Sequence, residues 1–129
     1  MLSRSCICRA QSCAKDAREA VREFHAAVAQ PDMALVVFFC SSAYDLDVLA
    51  DEMHRLFAGV PVIGCTTAGE IGPAGYLEHS LSGASFPSSN FEVACGCLEN
   101  LQQFDHCGGR ACATNLLQNL KARHPALNP

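Results

Sequence analysis

The sequence has no tryptophan, only two tyrosines, and few charged residues, 17% of 129. With half the residues hydrophobic, that scarcity of charge excludes a disordered chain and points to one folded domain with a real core. Lys and Arg form no cluster and the net charge is -4, so neither nucleic acid nor an anionic membrane is an expected partner. No apolar run is long: Met33 to Cys40 falls far short of the ~20 residues a spanning helix needs. No secretory leader is expected either, because Arg4 and Arg9 flank only a very short apolar patch. A cytoplasmic location with reduced thiols is the expectation. Nucleotide fingerprints fail on chemistry. Gly64 and Gly69 have the P-loop separation, but Glu70 stands where the lysine belongs, and a carboxylate repels phosphate. Gly64, Gly69 and Gly72 do not reproduce the dinucleotide spacing either.

Cysteine, by contrast, is abundant. Nine is an odd count, and Cys40 and Cys65 sit inside apolar runs, which predicts small core residues and no disulfide framework. Cys6-x-Cys8 with Cys13, and His106 with Cys107-x4-Cys112, each lack the remaining ligands of a zinc site.

The chain is organised around residues 60–72. Val60-Pro61-Val62-Ile63 reads as a buried strand that empties into Gly64-Cys65-Thr66-Thr67-Ala68-Gly69-Glu70. Ligands collect beyond the carboxyl ends of strands in open α/β sheets, so Thr66, Thr67 and Glu70 are candidate ligand-binding residues. An ordinary turn, whose Thr hydroxyls hold local amides, is the competing reading. A second unbroken apolar strand, 33–40, ends at Ser41-Ser42-Ala43-Tyr44. Strands without alternation should be covered on both faces. Between the two strands, Asp45 caps a helix with Leu46, Leu49, Ala50, Met53 and Phe57 on its apolar side. The expected fold class is therefore α/β: a βαβ unit with parallel strands 33–40 and 60–67. If the strands are neighbours, Ser41, Ser42 and Tyr44 lie beside Thr66 and Thr67.

Flanking helices are predicted over 13–29, capped by Ser12, and over 110–123. Residues 1–11 read as a loose start before a single domain, 12–129. Residues 71–76 are too rich in Gly and Pro for a regular element, and Tyr76 could either close over a ligand or anchor that loop. A hairpin over 80–98 is expected, with Phe91, Val93, Cys95 and Cys97 on one face. His25 and His54 fall on the polar sides of their helices and read as solvated.

Phe38-Phe39-Cys40-Ser41-Ser42, Tyr44-Asp45-Leu46, Pro61 to Ile71 with its Gly-Cys-Thr-Thr-Ala-Gly-Glu string, and Gly75-Tyr76 together resemble the N-terminal sensory part of the FIST family, F-box and intracellular signal transduction proteins. The likeness runs from Asp32 to Leu98 and is most similar to the bacterial nitric-oxide sensing branch. It implies a sensor and not an enzyme, with haem as cofactor and a histidine kinase or similar signalling protein as partner. Proteins of the family are usually longer, and a second FIST half is absent from this sequence. If a histidine holds iron, His79, at the entrance to a strand, is the candidate haem ligand. An amino-acid-like small molecule bound by Glu70, Thr66 and Thr67 is the alternative ligand. A Cys65-dependent enzyme, a truncated member with no ligand, and a homodimer that completes a pocket stay open.

Overall fold

The computed structural model describes residues 6–127, which fall into two compact units divided between Phe91 and Glu92. In the first unit the order is β1 (Cys8–Ser12), α1 (Ala17–Val28), β2 (Met33–Ser41), α2 (Leu46–Leu56), β3 (Val62–Thr67), β4 (Glu70–Gly72), β5 (Gly75–Leu77) and β6 (Leu81–Pro87). The main sheet runs β1-β6-β2-β3. β2 and β3 are parallel, and β6 is antiparallel to both β1 and β2. The α/β class and the parallel βαβ pair are thus as expected.

The helices form where their apolar stripes demand it. On α1, Ala17, Ala20, Val21, Phe24 and Val28 are buried at helical spacing. On α2, Leu49, Met53 and Phe57 join them, and Phe24 meets Phe57 with ring centroids 6.0 Å apart. Both helices lie on the sheet face that carries Val36, Cys40 and Leu81. Each large side chain fully buried there is worth about 1.5–3 kcal/mol. Asp45 caps α2 as expected, accepting from the Val48 amide at 3.2 Å. α1 starts later than predicted, at Asp16, which accepts from Glu19 N. Ser12 instead closes β1, its hydroxyl donating to Glu23 and accepting from Ala14 N.

Five further expectations are corrected. Residues 8–11 of the expected loose start form most of a strand, a segment too short and too small in its side chains to announce itself, while residues 1–5 lie outside the described residues. The central strands are covered on one face only: Phe39 is 45% and Ile63 47% exposed, because within this unit α1 and α2 both pack on the other side. The hairpin expected over 80–98 keeps its first arm as β6, but 91–98 carries no strand. β6 inserts between β1 and β2, and its hydrogen bonds go to them. Residues 71–76, expected to be irregular, instead supply most of a small hairpin, β4 on β5 across Pro73-Ala74, with Gly75 at a φ of 91° that a side chain would resist. Finally, of nine free cysteines only Cys40 is buried; Cys8 and Cys112 are half-buried and the rest exposed, Cys95 and Cys97 among them.

The second unit holds a short 3-10 turn and α3 (His106–Arg123), which starts four residues before the predicted helix because Asp105 caps it on Gly108 N. His124 pairs with Glu92, and Arg123 donates to the Val93 carbonyl. No helix among the described residues is long and apolar enough to cross a membrane.

α1 and α2 are joined by a charge network. Glu52 is 5% exposed, and its carboxylate accepts from Arg55 Nη2 at 2.6 Å and from Arg22 Nε, across on α1, at 2.8 Å. These two guanidinium groups, Arg55 foremost, hold the carboxyl at about 2, below its ordinary 4.5. A lowered folded pKa gives stability that is present above about 4.5 and lost as pH falls toward about 2. In urea unfolding, the wild-type midpoint should drop across that window, and Glu52→Gln should lack this part of the drop. Parallel acid limbs for the two proteins would disprove the linkage.

Candidate functional site

The two strand tips are neighbours, with Ser41 opposite Thr67 and Cys40 opposite Thr66. Just past β3 the chain turns a carboxylate inward. Glu70 is 1% exposed, and it accepts from Thr67 Oγ1 at 2.7 Å, from Ser80 Oγ at 2.7 Å and from Ser80 N at 3.2 Å. A buried carboxylate needs such donors. The three together tie the end of β3 to the start of β6. Sequence reasoning misses Ser80, because a serine at a strand entrance has no spacing signature.

The remaining candidates are dispersed around this lock. Tyr44 is buried and its hydroxyl donates to the Ala14 carbonyl at 2.6 Å; burial, with the Glu70 charge second, pushes its pKa up to about 12. His79 packs on the Tyr44 ring at 4.6 Å and its Nε2 donates to the Lys15 carbonyl, with the backbone at a φ of 51°. Ser41 Oγ accepts from Ala43 N. Ser42 is exposed, and Thr66 also faces solvent. Tyr76 is exposed too, its ring lying on Gly69, where a Cβ would overlap the hydroxyl. Thr67, Glu70, Tyr44 and His79 therefore have their polar atoms engaged within the protein. The Thr67 hydroxyl thus serves the Glu70 carboxylate, where the turn reading puts it on a local amide, and Thr66 is exposed.

The space for a guest is next door, on the helix side. A hollow of about 420 Å³ lies between α2 and the edge strand β3, walled by Phe38, Met53, Phe57, Val60, Val62 and His54. A second, of about 170 Å³, shares Phe38, Ala50 and Gly64 with it and reaches Cys40, Cys65 and Thr66. The two hollows adjoin at these shared walls and are together called the trough. It exists because the chain leaves β3 for the β4–β5 hairpin, and because Gly64 has no side chain: a Cβ there would overlap the Phe38 ring. His54 is exposed, as its helix face predicts, yet it lines this apolar wall. His25 is half-buried against Phe57, at 4.9 Å, where the sequence predicts solvation. The apolar run around Cys65 predicts a buried thiol; as β3 is an edge strand, Cys65 is exposed. Burial pushes the Cys40 thiol up, with Glu70 and Cys65 adding to it. Among the described residues no three His, Cys, Asp or Glu side chains gather as a metal-ion site. One imidazole, that of His54, stands at the apolar wall of the trough.

The family model described as FIST N domain matches residues 34–127. Neither the search of curated proteins nor that of solved structures returned a significant match.

Two outcomes check this geometry. Replacing Glu70 by Ala leaves Ser80 and Thr67 without their acceptor, and should cost about 1–3 kcal/mol in urea unfolding. A loss below a few tenths would refute the lock. Iodoacetamide treatment and peptide mapping should find Cys65 modified long before Cys40; equal rates would contradict the burial of Cys40 beneath α2.

Proposed function

Since the chain belongs to the FIST N domain family, a family of signal-transduction sensory domains, we propose that it binds haem in the trough between α2 and β3 and senses nitric oxide there. The observation that carries the reading is the position of His54, the imidazole on the wall of an apolar hollow of ligand size. His54 would hold the iron through its neutral imidazole. Phe38, Met53, Phe57, Val60 and Val62 supply the apolar wall that a porphyrin face needs. Haem contributes the iron to which a diatomic gas binds.

The residues favour His54 over His79 for this role. His79 holds its proton on Nε2 for the Lys15 carbonyl, and its ring is stacked on a buried tyrosine. Binding iron there would undo both contacts. The amino-acid-like ligand has weaker support, since an ammonium group would have to displace Thr67 and Ser80 from a carboxylate that is already satisfied. Nothing in this reading asks for catalysis. A histidine kinase or similar signalling protein, the partner that the family resemblance implies, would read the change through α2, which carries His54.

Purified protein titrated with ferrous haem should develop a Soret band that shifts on adding nitric oxide. His54→Ala should abolish it, and His79→Ala should keep it. A featureless spectrum, or a His54→Ala protein indistinguishable from wild type, overturns the proposal.

A further inference from the structure

The other face of the sheet carries its own hollow. β1 and β6 alternate: Ala10, Ser12, Leu81 and Ser85 point to the helices, which turns Arg9, Gln11, Ser82, Ala84 and Phe86 to the opposite side. There the β4–β5 hairpin leans over one end of the sheet. Gln11 holds it through the Glu70 and Gly75 carbonyls and the Ala74 amide, and Ser82 through the Ile71 carbonyl. Between hairpin and sheet lies a hollow of about 400 Å³, with Val37, Phe39, Ile71 and Phe86 among its walls.

Its polar chemistry is sparse. The Ser82 hydroxyl is engaged by the Ile71 carbonyl, and Arg9 is the one charged side chain on the lining. Arg9 sits across from Ala84 on the floor of the hollow and makes no ion pair among the described residues. A bowl of two phenylalanines and two aliphatic side chains, with one guanidinium on its lining, is complementary to a molecule with an apolar tail and a single anionic head. A planar monocarboxylate matches the guanidinium fork with two parallel hydrogen bonds. A dianion would bring a second charge against apolar wall with nothing to pair it.

We propose that this hollow is a second binding site, independent of the trough and of the haem reading, and that it takes a small amphipathic monocarboxylate: the tail on Phe39 and Phe86, the head on Arg9. A bound tail also covers apolar surface on the sheet face that α1 and α2 leave open.

The test is an amide NMR titration of the full chain with decanoate and, in parallel, with decan-1-ol, which has the tail without the charge. Decanoate should give saturable shifts at Val37, Phe39, Gly72 and Ala84, and should bind more tightly than the alcohol. Arg9→Gln should weaken decanoate about tenfold and leave the alcohol unchanged. Phe39→Ser, at an exposed position that the fold tolerates, should weaken both, and Arg18→Gln on α1 serves as the charge control. The proposal is overturned if Arg9→Gln leaves decanoate binding unaltered, if Phe39→Ser has no effect, if the alcohol matches decanoate on the wild type, if Arg18→Gln weakens decanoate as much as Arg9→Gln, or if shifts map to α1 and α2 or fail to saturate.

Discussion

A buried carboxylate decides where the loops of this protein go. Glu70 comes only a few residues after the edge strand, and once folded it has almost no contact with water. An unpaired carboxylate in that position would be prohibitive, so the chain around it must bring donors. Thr67 from the end of β3 and Ser80 from the threshold of β6 provide them. Both flanks of the 68–79 segment are thereby held at one point. The segment between is left with little freedom except to double back, which it does as β4 and β5. From that fold-back come the wall over the open sheet face and the outward turn of Tyr76. The carboxylate that looks like a ligand-binding group in the sequence acts as the clasp of the loop.

The second constraint is the one-sided cover of the sheet. Strand β2 has apolar residues in both registers: Val36, Phe38 and Cys40 face α1 and α2, while Val37 and Phe39 face away. Apolar area on both faces has to leave water to contribute stability, at about 25 cal/mol per Å². Residues 6–91 meet that demand over most of one face, short of the β3 edge, and only at one end on the other, where the hairpin lies. The hollows occur where cover runs out. The trough appears at the β3 edge, between that strand and α2, and the bowl appears beside the hairpin. Each is a place where apolar surface remains available to a guest.

Much of this architecture is legible from residues alone, and the reasons for the failures are physical. Helical stripes on α1 and α2 depend on local periodicity, so Val21, Phe24, Leu49 and Met53 can be placed without any coordinates. The parallel pair is implied by two apolar runs and one crossover helix. Strand partners are less accessible. β6 pairs with β1 across more than half of the first unit, and nothing local in Leu81–Pro87 distinguishes that partner from a nearby one. The contrast is sharper at the site. Chemical type and position near a strand end single out Thr66, Thr67, Glu70 and His79, and each does stand near a strand end. Whether a polar side chain points outward or is bonded inward depends on its neighbours in space, and Ser80 and Lys15 are brought there by tertiary structure. His54 shows the converse. Its polar helix face makes it look solvated, and only the early end of the sheet at β3 exposes an apolar wall beside it.

The trough rests on one glycine more than on any side chain. Phe38 lies over Gly64, so closely that a methyl group at position 64 would overlap its ring. The ring can lie flat across the edge strand only because nothing projects there, and in that pose it is a shared wall of both parts of the trough. Displacing Phe38 would push it toward Ala50 and Met53 and close the space that His54 borders. An edge strand with open space above it is otherwise a hazard, since unpaired backbone and apolar surface invite association with other chains. With Gly64 in place, that edge keeps a flat apolar wall beside the His54 imidazole, and the haem proposal rests on that surface.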